Sequence, residues 1–284
     1  METSHRTVAD ELRARIKDGS LQPGTRMPTQ ERLAREFGVE RGTVRQALKI
    51  LQEEQLLTHV TRGVPATVAD VAARPAAAPQ STMVALATRI DAAFAAPQVE
   101  IDALCLKSAS LNLALSEPIR GIHAGRMKPA AVTVRVLLPS RDIELAFPTP
   151  VADGTDGRLH RNWLDQRNAQ GQVLRSNLLA LRASHEIDVT VEFRALPFTP
   201  PVKLYLLNGA EALFGYYLIG RREEEFDHES LELFDIQGTQ STLFPFAQGA
   251  GVRDATFVEQ SQLWFDAIWN TISSPLSLAA DAAP

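Results

Sequence analysis

The sequence predicts an α+β chain of two domains, a small three-helix domain closed by a β-hairpin and a larger α/β domain behind it. Three observations carry that expectation. The chain has 284 residues, more than one ordinary domain of roughly 100 to 200 residues accommodates. Apolar residues recur at helical spacing up to about Glu53, whereas beyond residue 82 runs of β-branched and aliphatic residues alternate with helical segments. Between the two lies VADVAARPAAAPQS, residues 68–81, rich in Ala and Pro with almost no large apolar side chain, so it can bury little and reads as a connector. The expected division is a domain over 1–70, a linker over 71–81 and a second domain over 82–284.

Hydrophobic residues make up 45% and charged residues 22%, a balance that supplies sizeable cores and argues against long disorder. No stretch of about 18 consecutive apolar residues occurs, and METSHRTVADEL has neither a basic nor an apolar leader region, so we expect a cytoplasmic protein with no membrane partner. One cysteine, Cys105, cannot form an internal disulfide, and six scattered histidines make no zinc pattern; neither a structural metal nor a cofactor is expected. The net charge of -5 excludes a uniformly basic nucleic-acid coat. Residues 1–70 carry +1 and the remainder -6, so any nucleic-acid contact must come from a local patch. The run RREEEFDHESLE, 221–232, reads as a solvated loop or helix face.

In the first domain Val8, Leu12 and Ile16 share one side of a first helix, which Gly19 and Pro23-Gly24 end. Thr29 is placed to cap a short second helix, QERLAREF, with Leu33, Ala34 and Phe37 inward. Gly38-Val39 turns the chain into a third helix, Arg41 to Glu53, whose Val44, Ala47, Leu48 and Leu51 form one stripe. Arg41, Arg45 and Lys49 project beside that stripe. A helix docked on its apolar side with a cationic outward face fits the major groove of B-DNA, the geometry of a helix-turn-helix; three helices alone could equally be a small bundle with a solvated basic face. The following segment, QLLTHVTRGVPATVAD, tips the balance. Its two short β segments, Leu56 to Val60 and Ala66 to Val68, flank the tip Thr61-Arg62-Gly63 as a hairpin wing would. A glycine there lets backbone approach phosphate with no Cβ in the way.

Residues 7–68 resemble the winged helix-turn-helix of the GntR family of bacterial transcription regulators, over about a quarter of the chain. LQPGTRMPTQERLAREFGVERGTVRQALKILQEEQLL carries the likeness, with helix lengths, the Pro-Gly turn, the recognition-helix stretch and the wing glycine all at matching separations. The resemblance implies that Arg41 and Arg45 contact bases or phosphates, that Gly42 and Thr43 sit close to the DNA backbone, and that Arg62-Gly63 touches DNA beside the groove. Guanidinium forks suit guanine edges and phosphates bidentately. Thr29-Gln30-Glu31-Arg32 shifts the usual second-helix arginine by one place and removes the capping acid, so Arg32 is the candidate for that phosphate contact. Glu40 replaces a small polar residue, and Pro65 a second wing glycine. These departures should alter the operator sequence rather than abolish binding.

In the second domain VEIDALCL, AAVTVRVLLP, IDVTVEFRAL and VKLYLL read as strands, and residues 83–96, 108–122, 159–183 and 257–272 as helices, so we expect an α/β domain with a largely parallel sheet. From the last helix Val258, Leu263, Phe265, Ile268 and Trp269 are available for burial, and core packing is favoured over effector stacking for both Trp264 and Trp269. PPVKLYLLNGAEALFGYYLIG, 200–220, resembles the active strand of the phospholipase D superfamily, with Lys203 at its Lys, Asn208 at its Asp, and Gly209 and Gly215 completing the frame. The nucleophilic His of that pattern falls on Pro201, so no phosphodiesterase activity and no catalytic residue is expected. Lys203 and Asn208 could still hold an anionic effector; alternatively the Lys203 stem packs and its ammonium stays in solvent.

Together these features predict a homodimeric, sequence-specific transcription regulator, a repressor by family habit, that binds a double-stranded DNA operator and responds to a small-molecule effector through a catalytically dead second domain. The alternatives are a DNA-targeted phosphodiesterase or nuclease of phospholipase D type, which the missing histidine opposes, and a nucleoid or partitioning factor with weak sequence preference.

Overall fold

A computed structural model of the chain describes residues 5–17, 20–22, 24–53, 56–58, 66–68, 78–152, 157–226, 229–236 and 241–279. The chain divides into two compact units, 1–76 with 249–252 and 77–248 with 253–284.

In the first unit α1 (His5–Lys17), α2 (Gln30–Phe37) and α3 (Arg41–Glu53) precede a short hairpin of β1 (Leu57–Thr58) and β2 (Thr67–Val68), with Leu57 opposite Val68. The side-chain oxygen of Thr29 accepts from the Arg32 N–H at 3.3 Å, satisfying one of the orphan donors at the start of α2. Gly38 ends that helix at φ 62°, and its N–H donates to the Ala34 carbonyl. Only a residue without a Cβ takes this left-handed cap cheaply, and the chain turns at once into α3. Val8, Leu12 and Ile16 meet Leu33, Val44, Ala47, Leu48 and Leu51 in one core, which Leu57, Ala66 and Val68 of the hairpin close. The base of the hairpin is tied to the segment before α2 through Met27 N–H to Ala66 O at 2.7 Å and Val68 N–H to Thr25 O at 2.9 Å. The expected wing tip, Thr61-Arg62-Gly63 with Pro65, lies outside the described residues.

The second unit contains, in chain order, β3 (Gln80–Ser81), α4 (Thr82–Ala93), β4 (Gln98–Leu104), α5 (Ala109–His123), β5 (Ala131–Pro139), β6 (Thr149–Pro150), α6 (Gly157–His185), β7 (Asp188–Leu196), β8 (Val202–Leu207), β9 (Glu211–Tyr216), β10 (Ile219–Phe226), β11 (Glu229–Ile236), β12 (Thr242–Ala247), α7 (Val252–Asn270) and β13 (Ser274–Pro275). An eight-stranded sheet runs β13-β7-β5-β4-β8-β9-β12-β3, and a smaller one β10-β11-β6. It is a mixed sheet rather than the largely parallel one expected. Only β4 with β5 and β5 with β7 pair parallel; the other five pairings are antiparallel. The reason is connection length. Helices α5 and α6 are long enough to carry the chain back for parallel pairing, whereas β8 and β9 are joined by three residues, which reach only an antiparallel neighbour. Asn208 and Gly209 make that turn with φ 52° and 60°.

Two other expectations are corrected. The charged run 221–232 is neither loop nor helix but most of the β10–β11 hairpin, in which Arg221 stands opposite Phe234 and Glu223 opposite Glu232. The end of the expected linker, Gln80–Ser81, is an edge strand paired with Leu243 and Thr242 of β12; residues 71–77 lie outside the described residues.

Helices α4, α5 and α6 cover one face of the large sheet, burying Leu86, Leu115 and Leu178 against Ile101, Val134 and Tyr205. Helix α7 covers the other face with Val258, Phe265, Ile268 and Trp269 against Leu104, Leu204 and Leu206. Leu263 and Trp264, expected to be buried, are 57% and 44% exposed, because the face of α7 that docks is occupied by Phe265, Ile268 and Trp269. Under α7, Arg135 donates to both oxygens of buried Asp102 at 2.7 and 2.6 Å and to Asp266 at 2.8 Å, and lies over the Phe265 and Trp269 rings. Among the described residues no helix is long and apolar enough to cross a membrane.

Candidate functional site

In the first unit the buried stripe of α3 dictates what its other side can do. Val44, Ala47, Leu48 and Leu51 are at most 2% exposed, which pins the rotation of the helix and leaves Arg41, Arg45 and Lys49 on the solvent side. Gly42 and Thr43, half-buried, occupy the first turn of α3, and the Thr43 N–H is engaged by the Glu40 carbonyl at 3.0 Å. Arg41 reaches back to Glu31 at 2.8 Å; both side chains are exposed, so this ion pair is worth well under about 1 kcal/mol and yields readily to a phosphate. Arg32 is exposed in the first turn of α2, next in sequence to the Glu31 that pairs with Arg41. Glu40 is exposed immediately before α3. Arg62 and Gly63, the remaining expected DNA contacts, lie outside the described residues.

In the second unit Lys203 and Asn208 are not brought together. Asn208 sits in the β8–β9 turn, where its side-chain oxygen accepts from the Glu100 N–H at 2.8 Å and its amide donates to the Ala93 carbonyl at 3.0 Å. Both ends of the amide are thus spent on holding backbone. Lys203 is five residues away at the start of β8, and its ammonium is not in solvent: the residue is 3% exposed, donates to the Thr82 hydroxyl at 3.3 Å and stands 5.2 Å from the centre of the Tyr217 ring. Gly215, opposite Lys203 on β9, has a packing reason: a Cβ there would stand 2.6 Å from the Thr242 carbonyl oxygen.

Lys203 lines a cavity of about 380 Å³ where the chain leaves β4 and enters α5. Lys107, Arg222 and Asp235 share its wall, with the Tyr205 and Tyr217 rings and the apolar side chains of Met83, Leu113 and Ile236. Burial pushes the Lys203 ammonium down to about 8 and lowers that of Lys107 as well, the neighbouring Asp235 partly opposing the latter. Arg222 donates to Asp235 at 2.7 Å and to Glu224 at 2.6 Å. The Tyr217 hydroxyl accepts from the Leu106 N–H at 2.8 Å. Cys105, fully buried nearby, has its thiol pushed up to about 12 by burial, which keeps it protonated and unreactive. Sequence reasoning missed Lys107, Arg222 and Asp235. Lys107 stands at a strand-to-helix junction, a position that could have marked it; Arg222 and Asp235 meet only through the β10–β11 pairing.

Residues 4–68 match the model of the family described as bacterial regulatory proteins, gntR family. The mannosyl-D-glycerate transport/metabolism system repressor MngR of Escherichia coli K12 is 48% identical over 56 residues, 20% of this chain and 23% of that protein. The HTH-type transcriptional repressor NagR of Bacillus subtilis 168 is 44% identical over 50 residues, 18% of this chain and 21% of that protein. The chain therefore spans less than a quarter of the length of these curated relatives. Among solved structures, the DNA-binding domain of AraR in complex with operator ORX1 is 33% identical, covering 24% of this chain and 82% of that one, at a TM-score of 0.23.

Proposed function

We infer, from an amino-terminal helix-turn-helix domain that belongs to the gntR family, that this chain is a sequence-specific DNA-binding transcription regulator acting in the cytoplasm. Both curated relatives named above are repressors, which favours repression. The observation that carries the reading is the rotation of α3: its apolar side is sealed into the core while Arg41 and Arg45 remain exposed on a helix of groove-compatible diameter. Arg32 on α2, with Gly42 and Thr43 in the first turn of α3, forms the adjoining backbone-contacting edge, and Arg62 and Gly63 complete the set of DNA contacts.

Recognition of two half-sites requires two such heads, so the functional form is a homodimer, with half-sites one helical turn of about 34 Å apart or a multiple of it. The second unit serves as the effector-responsive part. A ligand preferring one arrangement of the heads shifts operator affinity by the difference in its affinity for the two arrangements. A phosphodiesterase of phospholipase D type is disfavoured: among the described residues no histidine lines the cavity at Lys203, and the position two residues before that lysine is Pro201.

The test is an operator selected from random duplexes by the purified protein, then a gel-shift titration at fixed salt. Arg45→Ala should weaken specific binding by about 1 to 3 kcal/mol, roughly a 5- to 150-fold loss, and relax the preference at one base position. Unchanged affinity would remove Arg45 from the reading face, and failure to enrich any sequence would remove the regulator reading itself.

A further inference from the structure

The cavity beside Lys203 lies where a ligand is expected from topology. Strand β4 has the parallel β5 on one side and the antiparallel β8 on the other, and its carboxyl end opens on the crevice that precedes α5. Crevices outside the carboxyl ends of parallel strands are the recurrent ligand sites of α/β sheets. The first residues of the 15-residue helix α5, Ala109 and Ser110, form part of the wall. The residue before them, Ser108, makes no side-chain capping bond, and its fully buried hydroxyl has no hydrogen-bond partner. The positive end of the helix dipole is therefore left without a side-chain cap next to the cavity.

Among the described residues of the wall, cations outnumber carboxylates: Lys107, Lys203 and Arg222 stand with Asp235. That carboxylate is already matched, with one oxygen accepting from Arg222 at 2.7 Å and the other from the Ile236 N–H at 2.7 Å. Arg222 is matched in turn by Asp235 and Glu224. Lys107 donates to the Gln166 side chain at 2.7 Å and Lys203 to the Thr82 hydroxyl at 3.3 Å, so both ammonium groups are held at the wall of the cavity. The rest of the wall is apolar or aromatic, and the volume falls within the roughly 300 to 1,000 Å³ of small-molecule sites.

We propose that this cavity is the effector site and that it takes a small amphipathic anion, its acid head held between Lys107 and Lys203 and its hydrocarbon or aromatic body laid on Met83, Leu113, Ile236 and the Tyr217 ring. The lowered ammonium groups of Lys107 and Lys203 agree with it, since an arriving anion restores the charged forms that burial disfavours. The consequence for DNA rests on the regulator reading; the binding itself does not.

The experiment uses the full chain, free of DNA, in calorimetric titrations. Phenylacetate and phenyl phosphate probe the two head groups, 2-phenylethanol the body alone, and inorganic phosphate the head alone. Saturable binding of at least one aromatic acid is expected, with the alcohol and inorganic phosphate each about tenfold weaker or more. Lys107→Met and Lys203→Met should each weaken the acid about tenfold or more, and Leu113→Glu, at an exposed rim position that folding tolerates, should do the same by opposing the acid's charge and covering the apolar wall. The tighter of the two acids identifies the head. Absence of binding by either acid, or equal binding by wild type and the lysine variants, overturns the proposal. Gel shifts run in parallel separate the two readings: intact operator binding without an acid site sinks this inference alone, whereas acid binding without an operator sinks the regulator reading alone.

Discussion

Replacing Lys203 by methionine should make the second unit more stable at neutral pH and less stable, relative to wild type, in alkali. The ammonium is taken from its ordinary 10.5 to about 8 by burial. At about 1.4 kcal/mol per pH unit, the charged form is disfavoured by about 3 kcal/mol in the native state. Methionine keeps most of the stem while losing the cation over the Tyr217 ring and the bond to Thr82, each worth about 1 kcal/mol. Thr82 itself stays satisfied, since its hydroxyl donates to the Ser241 carbonyl at 2.8 Å. The net expectation at pH 7 is a gain of about 1 kcal/mol. Because the native pKa lies below the unfolded one, the native chain releases this proton first. Between about pH 8 and 10.5 the unfolded chain holds more protons, and wild-type stability climbs relative to the variant by about 2 kcal/mol by pH 10. The two proteins should therefore exchange order. All three tryptophans, at 163, 264 and 269, are in the second unit, so fluorescence-monitored urea unfolding at pH 7 and 10 reports that unit specifically. Comparing variant with wild type cancels the part of the Cys105, Tyr205 and Tyr217 titrations that burial raises in both, and leaves in the difference the Coulombic pull of Lys203 on the Cys105 thiol. A stability difference that does not change with pH would refute the account of a desolvated ammonium.

Two further outcomes check the local physics of each unit. Thr29→Ala removes the side-chain cap of α2 and should cost about 1 kcal/mol, read by circular dichroism on the helical signal of the first unit; a loss below about 0.3 kcal/mol would mean that water replaces the hydroxyl at no expense. Gly215→Ala drives a Cβ to within 2.6 Å of the Thr242 carbonyl oxygen and 2.8 Å of the Leu243 side chain, so β9 and β12 must separate at a cost of about 1 to 3 kcal/mol; a neutral substitution in tryptophan-monitored unfolding would contradict the close approach.

Much of the fold is legible in the chain because it rests on short-range rules. The spacing of Val8, Leu12 and Ile16, the cap at Thr29, the turn glycine Gly38 and the stripe Val44-Ala47-Leu48-Leu51 each specify local structure within a few residues. The strands at 98–104, 131–139, 188–196 and 202–207 announce themselves by β-branched and aliphatic runs, in which alternate residues such as Val189 and Phe193 are buried while Thr190 and Glu192 face out. The departure into an antiparallel sheet after Leu196 was also written locally, in Asn208-Gly209, a pair that favours a hairpin and therefore excludes a parallel partner for β8.

The cavity is a different matter. Lys107 comes from the junction after β4, Lys203 from β8, and Arg222 and Asp235 from strands paired across the second sheet, so no window of sequence contains the group. The run 221–232 looks like solvated charge because charge density alone does not distinguish a face in water from a strand whose Arg222 finds a buried carboxylate.

From residue order alone came the third helix, its apolar stripe and the arginines beside it, since periodicity and residue identity are properties of neighbours along the chain. Tertiary structure decided that Lys203 is buried against Tyr217 while Asn208 merely ties a turn, because burial and charge balance depend on which distant segments close over a side chain.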